Sequence, residues 1–147
     1  MSIYATTTEI QSFFKAQWAL AGRSESIAYD GYVDESKPFA EGSAPWVRLS
    51  YNEAAAGQQT LQNNPIYRVN GFINVQCFQR AKTGTGTAEQ MADAVISMFR
   101  QFVINGATSG LIRNTPGSTP NALRIGVDPF GWYQINVSIP FIRDARA

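Results

Sequence analysis

Residues 66–80 read Ile-Tyr-Arg-Val-Asn-Gly-Phe-Ile-Asn-Val-Gln-Cys-Phe-Gln-Arg, and this stretch decides the fold. Tyr67, Val69, Ile73, Val75 and Cys77 fall on one side of an extended chain. Arg68, Asn70, Asn74 and Gln76 fall on the other, with Phe72 and Phe78 as apolar exceptions. Alternation with period two is the signature of a half-buried strand, and a sheet with one packed face is characteristically antiparallel. Gly71 interrupts the strand, which marks a bulge or a close backbone approach.

Working outward toward the C-terminus, Thr83-Gly84-Thr85-Gly86 is a flexible joint. Thr87 and Gln90 follow with capping-box spacing. Met91, Val95, Met98, Phe99 and Phe102 then form the stripe of a helix that the pattern ends near Asn105-Gly106. Leu111–Arg113 reads as a short strand, and residues 114–121 are turn chemistry. Two further strands, Leu123–Val127 and Tyr133–Arg143, are joined by Asp128-Pro129-Phe130-Gly131, with proline and glycine where a type I turn favours them. Tyr133, Ile135, Val137, Ile139 and Phe141 face the core, and Pro140 requires an edge or a non-bonding position.

Toward the N-terminus, Trp46–Tyr51 alternates as a strand with Val47, Leu49 and Tyr51 on one face. Glu53–Pro65 shows no period and reads as a long hairpin loop. Residues 30–45 are a polar loop, preceded by a short strand at Ile27–Tyr29. The first helix has capping-box spacing at Thr6 and Glu9, a stripe of Ile10, Phe13, Phe14, Trp18 and Ala21, and Gly22 as its stop. The expected fold is one α+β domain over residues 1–147: a mostly antiparallel sheet packed on one face by two α-helices. Its expected core is Ile10, Phe13, Phe14, Val47, Leu49, Val69, Val75, Val95, Phe99, Ile135, Val137 and Ile139.

Composition narrows the chemistry. The chain has 147 residues, 12 Lys+Arg against 11 Asp+Glu, no histidine and one cysteine. A net charge of +1 gives no global field for nucleic acid. Without histidine there is neither an imidazole base nor an imidazole zinc ligand. One cysteine forms no internal disulfide. No apolar run approaches the roughly 20 residues that span a bilayer, and nothing resembles a signal peptide. The expectation is a soluble, intracellularly made protein. Charged residues are only 16%, below the roughly 25% of ordinary domains, so much of the surface is uncharged and can be covered by another protein without stranding charge.

Individual motifs carry no catalysis. Gly84-x-Gly86-x-x-Glu89 lacks the third glycine of a dinucleotide fingerprint and the Gly-Lys-Ser/Thr of a phosphate loop. Cys77 has no activating partner and reads as a core thiol. The acids between Glu25 and Glu41 lack calcium-loop spacing. Glu89 and Asp93 face solvent rather than an apolar pocket. No catalytic, cofactor-binding or metal-ligating residue is expected. Trp46 and Trp132, on faces opposite the core alternation, are either contact anchors or caps of the sheet edge.

Four stretches together resemble the tail terminator proteins of long-tailed bacteriophages: Pro45-Trp-Val-Arg-Leu-Ser-Tyr51, the strand from Tyr67 to Phe78, Thr83-Gly-Thr-Gly-Thr-Ala88 opening a helix, and Gly131-Trp-Tyr-Gln-Ile-Asn-Val-Ser-Ile-Pro-Phe141. The pattern is lost between Ile104 and Asn121. The resemblance implies a non-enzymatic virion protein of the tail neck, made in the host cytoplasm. It implies a homo-oligomeric, hexameric ring that caps the tail tube, stops its polymerisation and joins it to the head connector or stopper, with DNA passing through the lumen without tight binding. Other readings are a different neck, tail-completion or tube subunit, or a small-ligand-binding α+β module. The expected partner contacts lie in the segment after Glu53, at Ala54, Gln58, Gln59, Leu61 and Gln62. Trp46, Trp132, Arg143 and Arg146 are secondary candidates.

Overall fold

The computed structural model describes residues 3–29, 44–58, 66–106 and 110–146. The elements are α1 (Ile3–Leu20), β1 (Ser26–Tyr29), β2 (Trp46–Gln58), β3 (Ile66–Arg80), α2 (Gly86–Phe99), β4 (Val103–Gly106), β5 (Gly110–Asn114), β6 (Asn121–Val127) and β7 (Trp132–Arg146). They form the expected α+β arrangement. The sheet order is β1-β2-β3-β7-β5-β4, with β6 also paired to β7. Among the described strands only the β1–β2 pair is parallel.

β3 and β7 are antiparallel over their whole length, from Ile66 opposite Arg146 to Arg80 opposite Trp132. The second edge of β7 is shared: β6 covers Tyr133–Ser138 and β5 covers Phe141–Asp144. Pro140 lies where the partners change, and its carbonyl accepts from the Thr115 amide at 3.2 Å. A proline is thus accommodated in a central strand because its missing donor falls at the gap between two neighbours.

Both helices pack on one face of the sheet. Ile10, Phe14 and Trp18 of α1 and Met91, Val95 and Phe99 of α2 join Val47, Leu49, Val75, Cys77, Ile135, Val137, Ile139 and Phe141 in one core. Every expected core residue is buried except Phe13, which is half-buried against the Phe99 and Phe102 rings at 5.5 and 5.8 Å. Burial pushes the Cys77 thiol up to about 12, as befits an inert core thiol.

Several local expectations are corrected. α1 begins at Ile3, so Thr6 is buried within the helix rather than capping it. The N-cap of α2 is Thr85, not Thr87. An amide of its first turn, that of Ala88, is satisfied by Gln79 Oε1 at 2.9 Å, and Gln79 Nε2 donates to Thr83 Oγ1 at 3.2 Å. A buried side chain of β3 therefore supplies the cap. α2 ends at Phe99, before the expected Asn105, and Val103–Gly106 becomes a strand. Asn114 fixes that ending: its Nδ2 donates to the Phe99 carbonyl at 2.7 Å and its Oδ1 accepts from the Phe102 amide at 2.9 Å.

The expected loop at Glu53–Pro65 is strand as far as Gln58. Ala55–Gln58 pairs with Tyr67–Asn70, after a register shift between Glu53 and Ala55. Gly71 stands opposite Glu53 at that shift. A Cβ there would lie 2.2 Å from the Asn52 carbonyl oxygen and 2.8 Å from the Phe141 ring. The bulge and the close approach are one feature, since β2 bends where the Phe141 ring needs the space a side chain would take.

Candidate interaction surfaces

The residues expected to contact partners are dispersed by the fold. Gln58 is paired with Tyr67 in β2 and Ala54 is skipped at the register shift of that strand, whereas Gln59, Leu61 and Gln62 lie outside the described residues. Arg146 ends β7 opposite Ile66. Trp46 and Trp132 are buried, so neither ring is an exposed anchor. They gather with Ala28 and Phe78 in a second apolar cluster on the sheet face away from the helices. Trp46 stacks on Phe78 with centroids 4.1 Å apart, Trp132 meets Trp46 edge-on at 6.1 Å, and the Arg80 guanidinium lies 4.0 Å over the Trp132 ring. The register explains the grouping, because Trp46 pairs with Phe78 and Arg80 with Trp132.

Arg143 is corrected too. It is 2% exposed, and both its Nε and Nη2 donate to Glu53 Oε1, at 3.1 and 2.8 Å. Its guanidinium ties the end of β7 to the bulge of β2 and offers nothing to a partner. Asp144, on the other face, accepts from Arg68 at 2.7 and 3.0 Å and from Arg113 at 3.4 Å. The Arg68 hydrogen bond holds the Asp144 carboxyl below its ordinary range, against an opposing effect of burial. Glu89 bonds to Thr85 and Arg124, and the Thr85 bond leads in lowering its carboxyl. These are intramolecular ion pairs of strands and helix; among the described residues no cluster of acids and cysteine is placed to hold a metal ion.

Two surfaces stand open instead. Rows of uncharged polar side chains cross the face away from the helices: Ser50, Asn74, Ser138 and Asn121 are successive partners over four strands, and Gln76 faces Asn136 in the next row. The second is the β6–β7 hairpin. Leu123, Ile125, Val127 and Phe130 are 61, 50, 63 and 78% exposed, although Leu123–Val127 has the alternation of a packed strand. Sequence reasoning identified the strand and missed that no described part of this chain covers it, and that the register shift between Arg124 and Gly126 turns Leu123 and Val127 to opposite faces.

Between α1 and β2 lies a cavity of about 330 Å³ lined by Thr7, Ile10, Leu49, Tyr51 and Glu53 among others, where Thr7 and Tyr51 share a hydrogen bond of 2.8 Å. The carboxylate in its lining, Glu53, is already held by Arg143, and no cation lines it, so its polar groups do not converge as those of a reaction centre do. No helix among the described residues is long and apolar enough to cross a membrane.

Comparison with known proteins agrees with a structural part. A solved protein structure, one of eight chains that match, superposes with a TM-score of 0.62 at 15% identity over 92% of this chain and 94% of its own, a likeness of fold. No curated protein sequence matches the chain. The family model described as phage tail terminator protein matches residues 14–141, which take in Phe14 and Trp18 of α1, all of α2 and most of the sheet. Buried thiol, internally paired carboxylates and uncovered uncharged sheet face are thus the features of a non-enzymatic virion component of the phage tail, and the chain belongs to the phage tail terminator protein family.

Proposed function

We propose that the whole chain, residues 1–147, is the subunit of a hexameric ring that caps the tail tube, stops its growth and joins it to the head connector. The family match over residues 14–141 carries this reading. The physical features support it. A closed ring needs two different patches on each subunit, and a surface poor in charge can be buried on several sides with little desolvation cost. The net charge of +1 suits a conduit that DNA crosses, because each neutralised phosphate adds affinity and would slow transit. Duplex binding weaker than micromolar at physiological salt is expected.

The β2–β3 hairpin, which carries Ala54, Gln58, Gln59, Leu61 and Gln62, is assigned to the axial neighbour, the tube. Electron microscopy of tail tubes assembled with and without the protein tests the reading. Capped tubes of arrested length are expected, and tubes that grow unchecked in its presence refute it. Replacing residues 60–65 with Asn-Gly, which preserves the pairing of Gln58 with Tyr67 and supplies a two-residue turn, is expected to leave the ring and abolish capping. A shortened variant that caps normally removes the hairpin from the interface.

A further inference from the structure

We propose that Asn105 is a site of spontaneous covalent modification, where water converts the carboxamide to aspartate and isoaspartate while the chain stays folded; this is independent of the ring reading above. The chain contains two Asn-Gly pairs, Asn70-Gly71 and Asn105-Gly106. In such a pair the glycine amide nitrogen, on losing its proton, attacks the asparagine Cγ. The carboxamide C–N bond breaks, its nitrogen leaves as ammonia after taking up the proton, and a five-membered succinimide remains. Water then opens either carbonyl of that ring to give aspartate or isoaspartate. One water is taken up and one ammonia released. Glycine favours the step because it has no Cβ to crowd the nucleophile and gives the backbone the freedom that ring closure needs.

Both asparagine side chains are exposed, so exposure does not separate the two sites. The backbone does. An extended strand turns the next amide nitrogen away from the side-chain carbon, so the reaction waits for that stretch of strand to open. Gly71 lies in β3, paired with β2 on one side and β7 on the other, and the Asn52 carbonyl and the Phe141 ring close around it. Freeing it means parting the centre of the sheet. Asn105-Gly106 instead ends β4, a four-residue strand at the end of the sheet order whose one neighbour among the described strands is β5. The last pair, Gly106 with Gly110, has no side chains to hold it. Phe102 and Ile104 are buried and anchor the chain ahead of the site. Asn105 can therefore part from Leu111, and Gly106 from Gly110, with the core undisturbed. Strand ends open at little cost, whereas central strands open only with the whole domain.

The products change the end of the sheet. Either one adds a negative charge and cancels the net charge of +1. Isoaspartate also routes the backbone through the former side chain and lengthens it by one carbon, which puts Gly106 out of register with Gly110. The end of β4 thus records the age of the protein.

Tryptic peptides test this on the full chain, because residues 101–113 carry Asn105 and residues 69–80 carry Asn70. The protein is held at pH 8, natively and in urea, and both peptides are followed by mass spectrometry, with circular dichroism as the check that the native sample stays folded. Isoaspartate is read by methyl transfer from S-adenosylmethionine with an isoaspartate methyltransferase. In the folded chain Asn105 is expected to react at least about a hundredfold faster than Asn70, since global opening is populated at about 10⁻³ or less. In urea the two are expected to react at similar rates. Amide hydrogen exchange is expected to separate Gly106 from Gly71 in the same direction. Like native rates at the two sites, or an Asn105 that stays intact in the native chain, overturn the proposal, as does a Gly106 amide as protected as that of Gly71. A gap that persists in urea overturns it too, by placing the difference in local sequence and not in the fold. Asn105→Gln, which would have to close a six-membered ring, is expected to abolish the native conversion, and conversion that persists in its 101–113 peptide overturns the assignment to Asn105.

Discussion

Removing Glu53 should cost more than removing Arg143, although the two form a single ion pair. Arg143 is 2% exposed, whereas the Glu53 side chain retains 23% of its surface. Glu53→Ala leaves a guanidinium that cannot reach water, and breaking a buried pair from that side costs about 3–5 kcal/mol. Arg143→Met fills similar space and leaves a carboxylate that water can reach, which costs about 1–3 kcal/mol. The pair is under-satisfied even when intact, because among the described residues the buried Arg143 Nη1 has no hydrogen-bond partner. The double variant Glu53→Leu, Arg143→Met removes both charges together and should recover to within about 1 kcal/mol of the wild type, or exceed it. Urea denaturation of the four proteins gives the cycle, with equal m-values as the check that only stability has changed. Equal losses for the two single variants, or a double variant whose loss is their sum, would falsify the claim that these groups are coupled in a dry site.

Three other outcomes follow from single features. Gly71→Ala should lose at least about 3 kcal/mol, the upper end of ordinary overpacking, because the new methyl meets the Asn52 carbonyl at 2.2 Å; Gly86→Ala, which meets nothing within 4 Å, is the control, and similar urea midpoints for the two would refute the account of the bulge. Cys77 should resist iodoacetamide at pH 8 in the native protein and react once urea unfolds it, because burial keeps its thiol protonated; rapid native labelling would show the core to be open. The native Asp144 carboxyl lies below its unfolded value, so its stabilisation is fully present above the unfolded pKa of about 4 and is lost as pH falls through the native value. The stability gap between wild type and Asp144→Asn should hold above about pH 5 and shrink in more acid solution; a gap unchanged at pH 2 would mean that Asp144 contributes nothing through its charge.

Much of the sheet was legible because burial on one face writes itself into the chain with period two. Ile73, Val75 and Cys77 on β3 and Ile135, Val137 and Ile139 on β7 announce their common face without knowledge of the partner strand. The second half of β2 was not legible, for a physical reason. After Glu53 the chain reads Ala-Ala-Ala-Gly-Gln, which lacks alternation, and the register shift at Ala54 breaks what period there is. The Glu53–Arg143 pair was hidden because its members are 90 residues apart and meet only after β2, β3 and β7 are aligned. Trp46 and Trp132 were placed on the correct face, but alternation tells only which side a residue takes. It did not tell that Phe78 and Ala28 would be there to bury them. The caps from Gln79 and Asn114 were hidden likewise, since each reaches a helix end from a strand across the fold.

β6 shows where such reading stops for a deeper reason. Leu123, Ile125 and Val127 alternate as clearly as the core strands do, and they form a strand as expected. An alternating pattern records that one face is kept from water; it does not record which molecule keeps it so. In β3 and β7 the cover is α1 and α2 of the same chain. On β6 the register shift between Arg124 and Gly126 sets Leu123 opposite Asn136 and Val127 opposite Tyr133, on different faces of the sheet, and both side chains stay exposed, while Glu89 of α2 reaches Arg124 at 3.0 Å. Exposed apolar side chains gathered on one hairpin, with no cover among the described residues, mark a surface for interaction.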